Sequence, residues 1–189
     1  MDASRVRAAL DDLANAAKAT TALADQVAAV AARYRATLAG GGTLYFAGNG
    51  GSAADAQHVA AEYVVRYRRA RPGLPAVALT TDSSVLTAAG NDLGFERIFA
   101  RQVETLCRAG DLLVLHSTSG ASANLLAAAR AARARGVPVV AFLGGDGGPL
   151  RAEVDQALVV PADETSRIQE LHLALEHIIA GLVEEEGGA

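Results

Sequence analysis

The sequence predicts an α/β fold: one five-stranded parallel sheet with helices on both faces and an N-terminal helical extension. Short, continuously apolar segments alternate with longer segments of helical period along the chain. Strands of that kind lack the polar–apolar alternation of a half-solvated sheet, so both faces are expected to be covered by helices. Two of the apolar segments also run straight into glycine-rich or hydroxyl-rich loops that open a helix.

Residues 4–39 read as helix, because Val6, Leu10 and Leu13, then Leu23, Val27, Val30, Tyr34 and Leu38 recur at three- to four-residue spacing. A break is expected near Thr20 and Thr21, and Gly40, Gly41 and Gly42 stop the run. This Ala/Val/Leu-striped region carries more apolar face than a small domain covers, so 1–40 is assigned to oligomerisation and 41–189 to the domain proper. Residues 43–47 read as a buried strand leading into Gly48–Ser52 by number 48–52, followed by a helix over 53–67 with Pro72 beyond it. Next come a strand at 76–80, a short helix at 83–89 and a longer one at 94–107. A strand at 111–116 precedes the hydroxyl loop 117–122 and a helix to 135. Strands at 137–143 and 157–160 and a last helix at 166–186 complete the domain, with 184–189 expected to be a frayed, solvated end.

Composition narrows the function. The 189 residues suit one domain. Hydrophobic residues make up 51% but aromatics only 4%, with no Trp, so the core is expected to come from close-packed, alanine-rich helices. With 21 acidic against 17 basic residues the net charge is −4, which gives no basic field for nucleic acid. The single Cys107 excludes an internal disulfide framework and a cysteine-rich zinc cage. The N-terminus has no apolar signal core and no apolar run is long enough to span a bilayer, so a cytosolic location with no membrane partner is expected.

Two loops could hold a phosphate. In an open parallel sheet, ligands bind outside the carboxyl ends of the strands. Gly48, Asn49, Gly50, Gly51 and Ser52 lie between a strand and a helix whose first N–H groups can face an anion. Gly48-x-Gly50-x-x-Ala53 also matches a relaxed dinucleotide fingerprint, and a tight turn without a ligand is the bland reading. Ser117, Thr118, Ser119 and Ser122 place four hydroxyls around Gly120 at a second such junction. Capping needs one hydroxyl, not four, whereas a phosphate uses several together with helix amides. A dinucleotide would want an acid about twenty residues after its glycine turn, and Asp82 comes too late. A phosphate monoester is therefore favoured.

His58 and Glu62, four apart, share a helix face, as do Gln169 and His177, eight apart on the last helix. His172 lies between the latter two and is compatible with either side of the helix. Imidazole, carboxylate, amide oxygen and imidazole suit a four-ligand zinc site. Equally, Glu and His are the acid–base pair that proton transfer on a sugar needs. A solvated helix face is the bland alternative for each pair alone.

The segments GNGGSAADAQHVAAE, GNDLGFERIFARQVE, STSGASAN and RIQELHLALEH together resemble the sugar isomerase (SIS) domain family, in its phosphoheptose isomerase branch. The similarity covers nearly the whole chain. It implies a single SIS domain with a flavodoxin-like sheet, a homotetramer, and active sites formed between subunits. The implied reaction is conversion of sedoheptulose 7-phosphate to D-glycero-D-manno-heptose 7-phosphate through an enediol, the first step of heptose nucleotide synthesis. The resemblance assigns sugar-phosphate contacts to Asn49, Gly50, Gly51, Ser52, Glu62, Asn91, Asp92, Ser117, Thr118, Ser119, Ser122 and Gln169. It assigns the acid–base pair to Glu62 and His177, and one zinc per subunit to His58, Glu62, Gln169 and His177. Arg66 matches a position near the substrate. Ala121 stands where the family's hydroxyl loop usually has Asn, and Ser166 where some members carry Asp. The rival from another class is a non-catalytic SIS scaffold that binds the replication initiator. That type lacks the carboxylate and terminal imidazole found here as Glu62 and His177.

Overall fold

The computed structural model describes residues 2–186. Helix α1 (Ala3–Thr20) opens on Asp2, whose carboxylate accepts the Ser4 N–H at 2.9 Å. The expected break is a single 3₁₀ turn, Thr21–Leu23, before α2 (Ala24–Ala39). The hydroxyls of Thr20 and Thr21 donate back to the carbonyls of Ala16 and Lys18, a competition with the helical ladder that bends it.

Five strands follow: β1 (Leu44–Gly48), β2 (Ala76–Ala78), β3 (Leu112–Ser117), β4 (Val139–Leu143) and β5 (Gln156–Val159). They form one parallel sheet in the order β2-β1-β3-β4-β5. Between them run α3 (Gly51–Val64), α4 (Ser83–Leu93), α5 (Ile98–Leu106) and α6 (Ala123–Ala134), and α7 (Thr165–Glu186) closes the chain.

The strands are continuously apolar because alternate residues feed two separate cores. Leu44, Phe46, Leu112, Val114, Val140 and Phe142 join α2, α3 and α7 on one face. Tyr45, Ala47, Leu113, Leu115, Ala141 and Leu143 join α5 and α6 on the other. Alanines do line the helix contacts, as composition suggests. The first core is nevertheless centred on the rings of Tyr34, Phe46 and Tyr63, 6.0–6.2 Å apart. Aromatics are few, but they are placed where the most surface is buried. Val27, Val30, Ala31 and Tyr34 sink α2 into this core, whereas Val6 and Leu10 of α1 are each 61% exposed.

Several boundaries move for identifiable reasons. The Gly50 carbonyl already accepts the Ala53 and Ala54 N–H groups, so α3 starts before 53. It stops at Val64, short of 67, because the Arg71 guanidinium caps the Glu62 and Tyr63 carbonyls and Leu74 N–H takes the Tyr63 carbonyl as well. Strand β4 begins at Val139 rather than 137 because Pro138 has no N–H to give the ladder. The 83–89 helix runs on to Leu93, and the 94–107 segment is a 3₁₀ turn, Phe95–Arg97, followed by α5.

The expectation of a frayed end from 184 is corrected at Glu184, which is 7% exposed and accepts four hydrogen bonds. Residues 187–189 lie outside the described residues. Among the described residues no helix is long and apolar enough to cross a membrane.

Candidate functional site

Winding of the sheet reverses between β1 and β3, and the crevice at their carboxyl ends is where an open parallel sheet holds a ligand. Gly48 and His116 are register partners there, so both candidate loops leave the sheet side by side. A cleft of about 480 Å³ opens next to the first loop, lined by Gly48, Asn49, Gly50, Thr80, Thr87 and Phe95 among others.

The two loops are tied together by a reciprocal amide pair. Asn49 Nδ2 donates to Asn124 Oδ1 at 2.9 Å, and Asn124 Nδ2 donates back to Asn49 Oδ1 at 2.8 Å. The Asn49 side chain is thus engaged by the protein itself. In the hydroxyl loop, Ser117 Oγ accepts the Gly120 N–H at 3.0 Å and Ser119 Oγ the Ala121 N–H at 3.3 Å. Ser122 stands at the N-cap of α6 without a side-chain capping bond. Gly120 has φ +61°, and a Cβ there would fall 1.9 Å from the Gly147 carbonyl, so only glycine lets this loop seat against the loop after β4. Helices α3 and α6 both point their first N–H groups, which have no carbonyl inside the helix, toward this edge.

Farther along α3 the second constellation assembles. His58 Nε2 lies 3.2 Å from Glu62 Oε1 one turn on, and 2.8 Å from Nε2 of His177 on α7. One ligand atom from each of the three lies within 4.8 Å of the others. A tetrahedral zinc with bonds of about 2.0–2.1 Å needs donor atoms roughly 3.3 Å apart, so this spacing suits such an ion. Glu62 is 20% exposed at its side chain and His58 46%, which leaves the group open to a ligand. Gln169 lies against the glycine loop: a Cβ on Gly51 would meet its amide atoms at 2.6–2.8 Å. Glycine at 51 therefore makes the room in which that amide sits.

Other sequence-selected residues fall elsewhere. Asn91 and Asp92 sit exposed in the last turn of α4, bonded to each other at 2.7 Å, and do not line the cleft. Asp82 accepts the Val85 N–H at 3.0 Å as the N-cap of α4, so it is a capping residue and not a ribose ligand. Ser52 is buried, and Arg66 is exposed. His172 faces neither side of the site. It is buried, donates Nε2 to the Leu143 carbonyl at 3.1 Å, and burial pushes its pKa down to about 3.

Four features had no motif to announce them. Glu176 is buried and its Oε1 accepts from Tyr34 at 3.1 Å and from His116 at 2.9 Å, joining α7, α2 and β3. His116 directly precedes Ser117, and Glu176 directly precedes His177. Burial raises the pKa of Asp55, one turn before His58, against the pull of His116 and His58. Tyr67 stacks on the His177 ring, and Glu184 holds the loop that carries Tyr67. Helical phase marks Tyr34 as inward-facing, but its partner stands 142 residues away, which no local pattern encodes.

The SIS domain family profile matches residues 9–144. The chain is 55% identical over 161 residues to a phosphoheptose isomerase of Roseiflexus sp., covering 85% of this chain and 82% of that one. A solved phosphoheptose isomerase from Neisseria gonorrhoeae superposes with a TM-score of 0.91 at 42% identity, covering 96% of this chain and 98% of that one. One from Francisella tularensis reaches 0.95 at 34% identity over 98% and 100% of the two chains.

Proposed function

The chain belongs to the SIS domain family, within its phosphoheptose isomerases, and on that footing we propose a ketose–aldose isomerase acting on sedoheptulose 7-phosphate. The product is D-glycero-D-manno-heptose 7-phosphate. The observation that carries this reading is the convergence of one carboxylate and two imidazoles from two helices, beside two strand-end loops suited to a phosphate. Along α3, seven residues separate Gly51 from His58, an advance of about 10 Å. That is comparable to the length of an extended seven-carbon sugar.

The hydroxyls of Ser117, Thr118, Ser119 and Ser122 and the first N–H groups of α3 and α6 hold the phosphate, while Gly50, Gly51 and Ser52 shape the approach. Gln169 orients the sugar chain from beside Gly51. At the far end Glu62 and His177 perform the proton work. A proton leaves C1 of the open-chain ketose and the C1–H electron pair forms the C1=C2 bond of an enediol. O2 gains a proton as its carbonyl opens, O1 gives one up, and C2 receives the last, leaving an aldehyde at C1. Every proton removed is returned, so no external reductant enters.

We further infer that His58, Glu62 and His177, with Gln169, hold one zinc ion per subunit. Bound there, zinc supplies polarisation of the carbonyl and steadies a developing oxyanion. A neutral amide is a weak donor, so the affinity is moderate, and Glu62 is a weaker base while coordinated. Tetramer formation is part of the same reading, supported by the exposed Val6 and Leu10 on α1. The scaffold alternative is not favoured, since Glu62 and His177 are both present and converge.

The test is direct. Purified protein with sedoheptulose 7-phosphate is followed by NMR, alongside Glu62→Gln, which keeps shape but cannot accept a proton. Wild type converts the substrate, and Glu62→Gln loses about 10²–10⁴-fold in rate. No turnover by a folded, zinc-loaded wild type overturns the proposal.

A further inference from the structure

Glu62 and His177 differ in how they are held. Glu62 lies one turn from His58 on the same helix. His177 meets His58 edge-on, Nε2 to Nε2 at 2.8 Å, but the rest of its ring on α7 is partly exposed, and a catalytic imidazole must keep one orientation to be useful. The contact that covers the face of the ring comes from a segment without regular structure. The Tyr67 ring lies on the His177 imidazole with centroids 5.3 Å apart and planes 13° from parallel. Its other neighbours hold the ring in place: Arg68 Nη2 donates to the Tyr67 hydroxyl at 3.2 Å, and the Arg68 guanidinium carbon lies 4.8 Å from the ring centroid.

The face of α7 beneath this ring is organised by helical spacing. His177, Gly181 and Glu184 follow one another at four and three residues and share that face. Gly181 offers no side chain where the ring lies; a Cβ there would sit 3.6 Å from Tyr67 Cε1, and anything longer would compete for the space. Glu184 then grips the backbone of the segment. Its Oε1 accepts the Tyr67 N–H at 2.8 Å, and its Oε2 the Arg68 and Arg69 N–H groups at 2.8 and 2.9 Å. Arg71 Nε completes the set at 3.0 Å. Three consecutive N–H groups aimed at one carboxylate form an anion nest filled by the chain's own side chain. Burial alone would raise the Glu184 pKa, but these donors more than offset it and hold it at about 2. The grip is therefore charged at any working pH.

We propose that Tyr67 is the positioning residue of His177, setting the orientation of its imidazole by stacking, and that Glu184 holds Tyr67 in place. The inference rests on the isomerase reading for its kinetic consequence but not for its geometry. Tyr67 touches no substrate in this scheme; it acts through His177.

The experiment compares Tyr67→Ala, Tyr67→Phe, Glu184→Gln and the Tyr67→Ala/Glu184→Gln double variant. Each is measured for kcat and KM on sedoheptulose 7-phosphate, and for the His177 imidazole resonances without substrate, assigned with His177→Gln. Tyr67→Ala is expected to lower kcat about 10–100-fold with KM within about twofold, because misorientation and not phosphate binding is at fault. Tyr67→Phe restores kcat, since it keeps the ring. The upfield ring-current shift on His177 is lost in Tyr67→Ala and kept in Tyr67→Phe. The double variant is no slower than Tyr67→Ala, because both changes remove the same support. A Tyr67→Ala enzyme with kcat within twofold of wild type, equal losses in the Ala and Phe variants, or an unchanged His177 shift each overturns the proposal. If wild type itself does not turn over, the isomerase reading fails and the resonance shift alone decides the placement of Tyr67.

Discussion

Removing either member of the Asn49–Asn124 pair severs both bonds that join the β1 and β3 loops, yet the two removals are not equivalent. Asn124 is 3% exposed, whereas Asn49 is half-buried at the cleft. Asn124→Ala leaves Asn49 free to hydrate, so the loss is that of two neutral hydrogen bonds, roughly 1–3 kcal/mol at about 0.5–1.5 each. Asn49→Ala strands the buried Asn124 amide, and its desolvation adds about 1–3 kcal/mol to the same loss. The double variant loses the same two bonds only once and strands nothing, so its cost falls short of the sum by roughly 2–6 kcal/mol. Urea unfolding of the four proteins at one fixed protomer concentration gives the cycle. A coupling energy below about 0.5 kcal/mol is within ordinary additivity and would refute the pairing as an energetic link. So would Asn124→Ala proving the more damaging single change.

Ser119→Ala with Ser122→Ala is expected to remove about two bonds to a charged group, roughly 1.5–3 kcal/mol each, raising KM for the sugar phosphate more than tenfold with the fold intact. An unchanged KM in steady-state assays sinks the hydroxyl-loop assignment. Elemental analysis is expected to find up to one zinc per subunit in wild type and none in His58→Ala, with circular dichroism unchanged after chelation. Acid stability carries two signatures. The Glu184 carboxylate is held at about 2 against an ordinary 4.5, so its contribution is complete above the upper value and fades as pH falls toward the lower. The buried His172, at about 3 against 6.5, resists protonation in the fold, so destabilisation begins just below pH 6.5 and grows toward 3. Urea titrations between pH 7 and 3 should show Glu184→Gln losing the lower component only, and a flat profile down to pH 5 would contradict the His172 environment.

The sheet was readable in the sequence because apolar runs such as 112–117 and 139–143 are uninterrupted, and the alternate feeding of two cores leaves no other use for them. His58 and Glu62 were readable because four-residue spacing is a local geometric fact. The ends of elements were not, since Arg71 terminates α3 from outside that helix. The burial of Glu184 is hidden from the sequence for the same reason. An acidic run beside two glycines has the composition of a solvated tail, and only the distant N–H groups of 67–69 turn one of its members inward. The exposed placement of Asn91 and Asp92 was likewise invisible, because it depends on how α4 extends past 89.

The buried meeting of Tyr34, His116 and Glu176 constrains how this chain can vary over generations. One carboxyl oxygen serves two donors from different elements, in a setting closed to bulk solvent. Deleting one partner strands a buried polar group at a cost of about 1–3 kcal/mol, a sizeable part of the stability of any domain, whereas exchanging the set for well-packed apolar residues can be neutral. The three positions are therefore expected to drift together or not at all. A lineage that changed one would pass through a less stable ancestor, with the strand that ends at Ser117 and the helix that carries His177 less firmly joined.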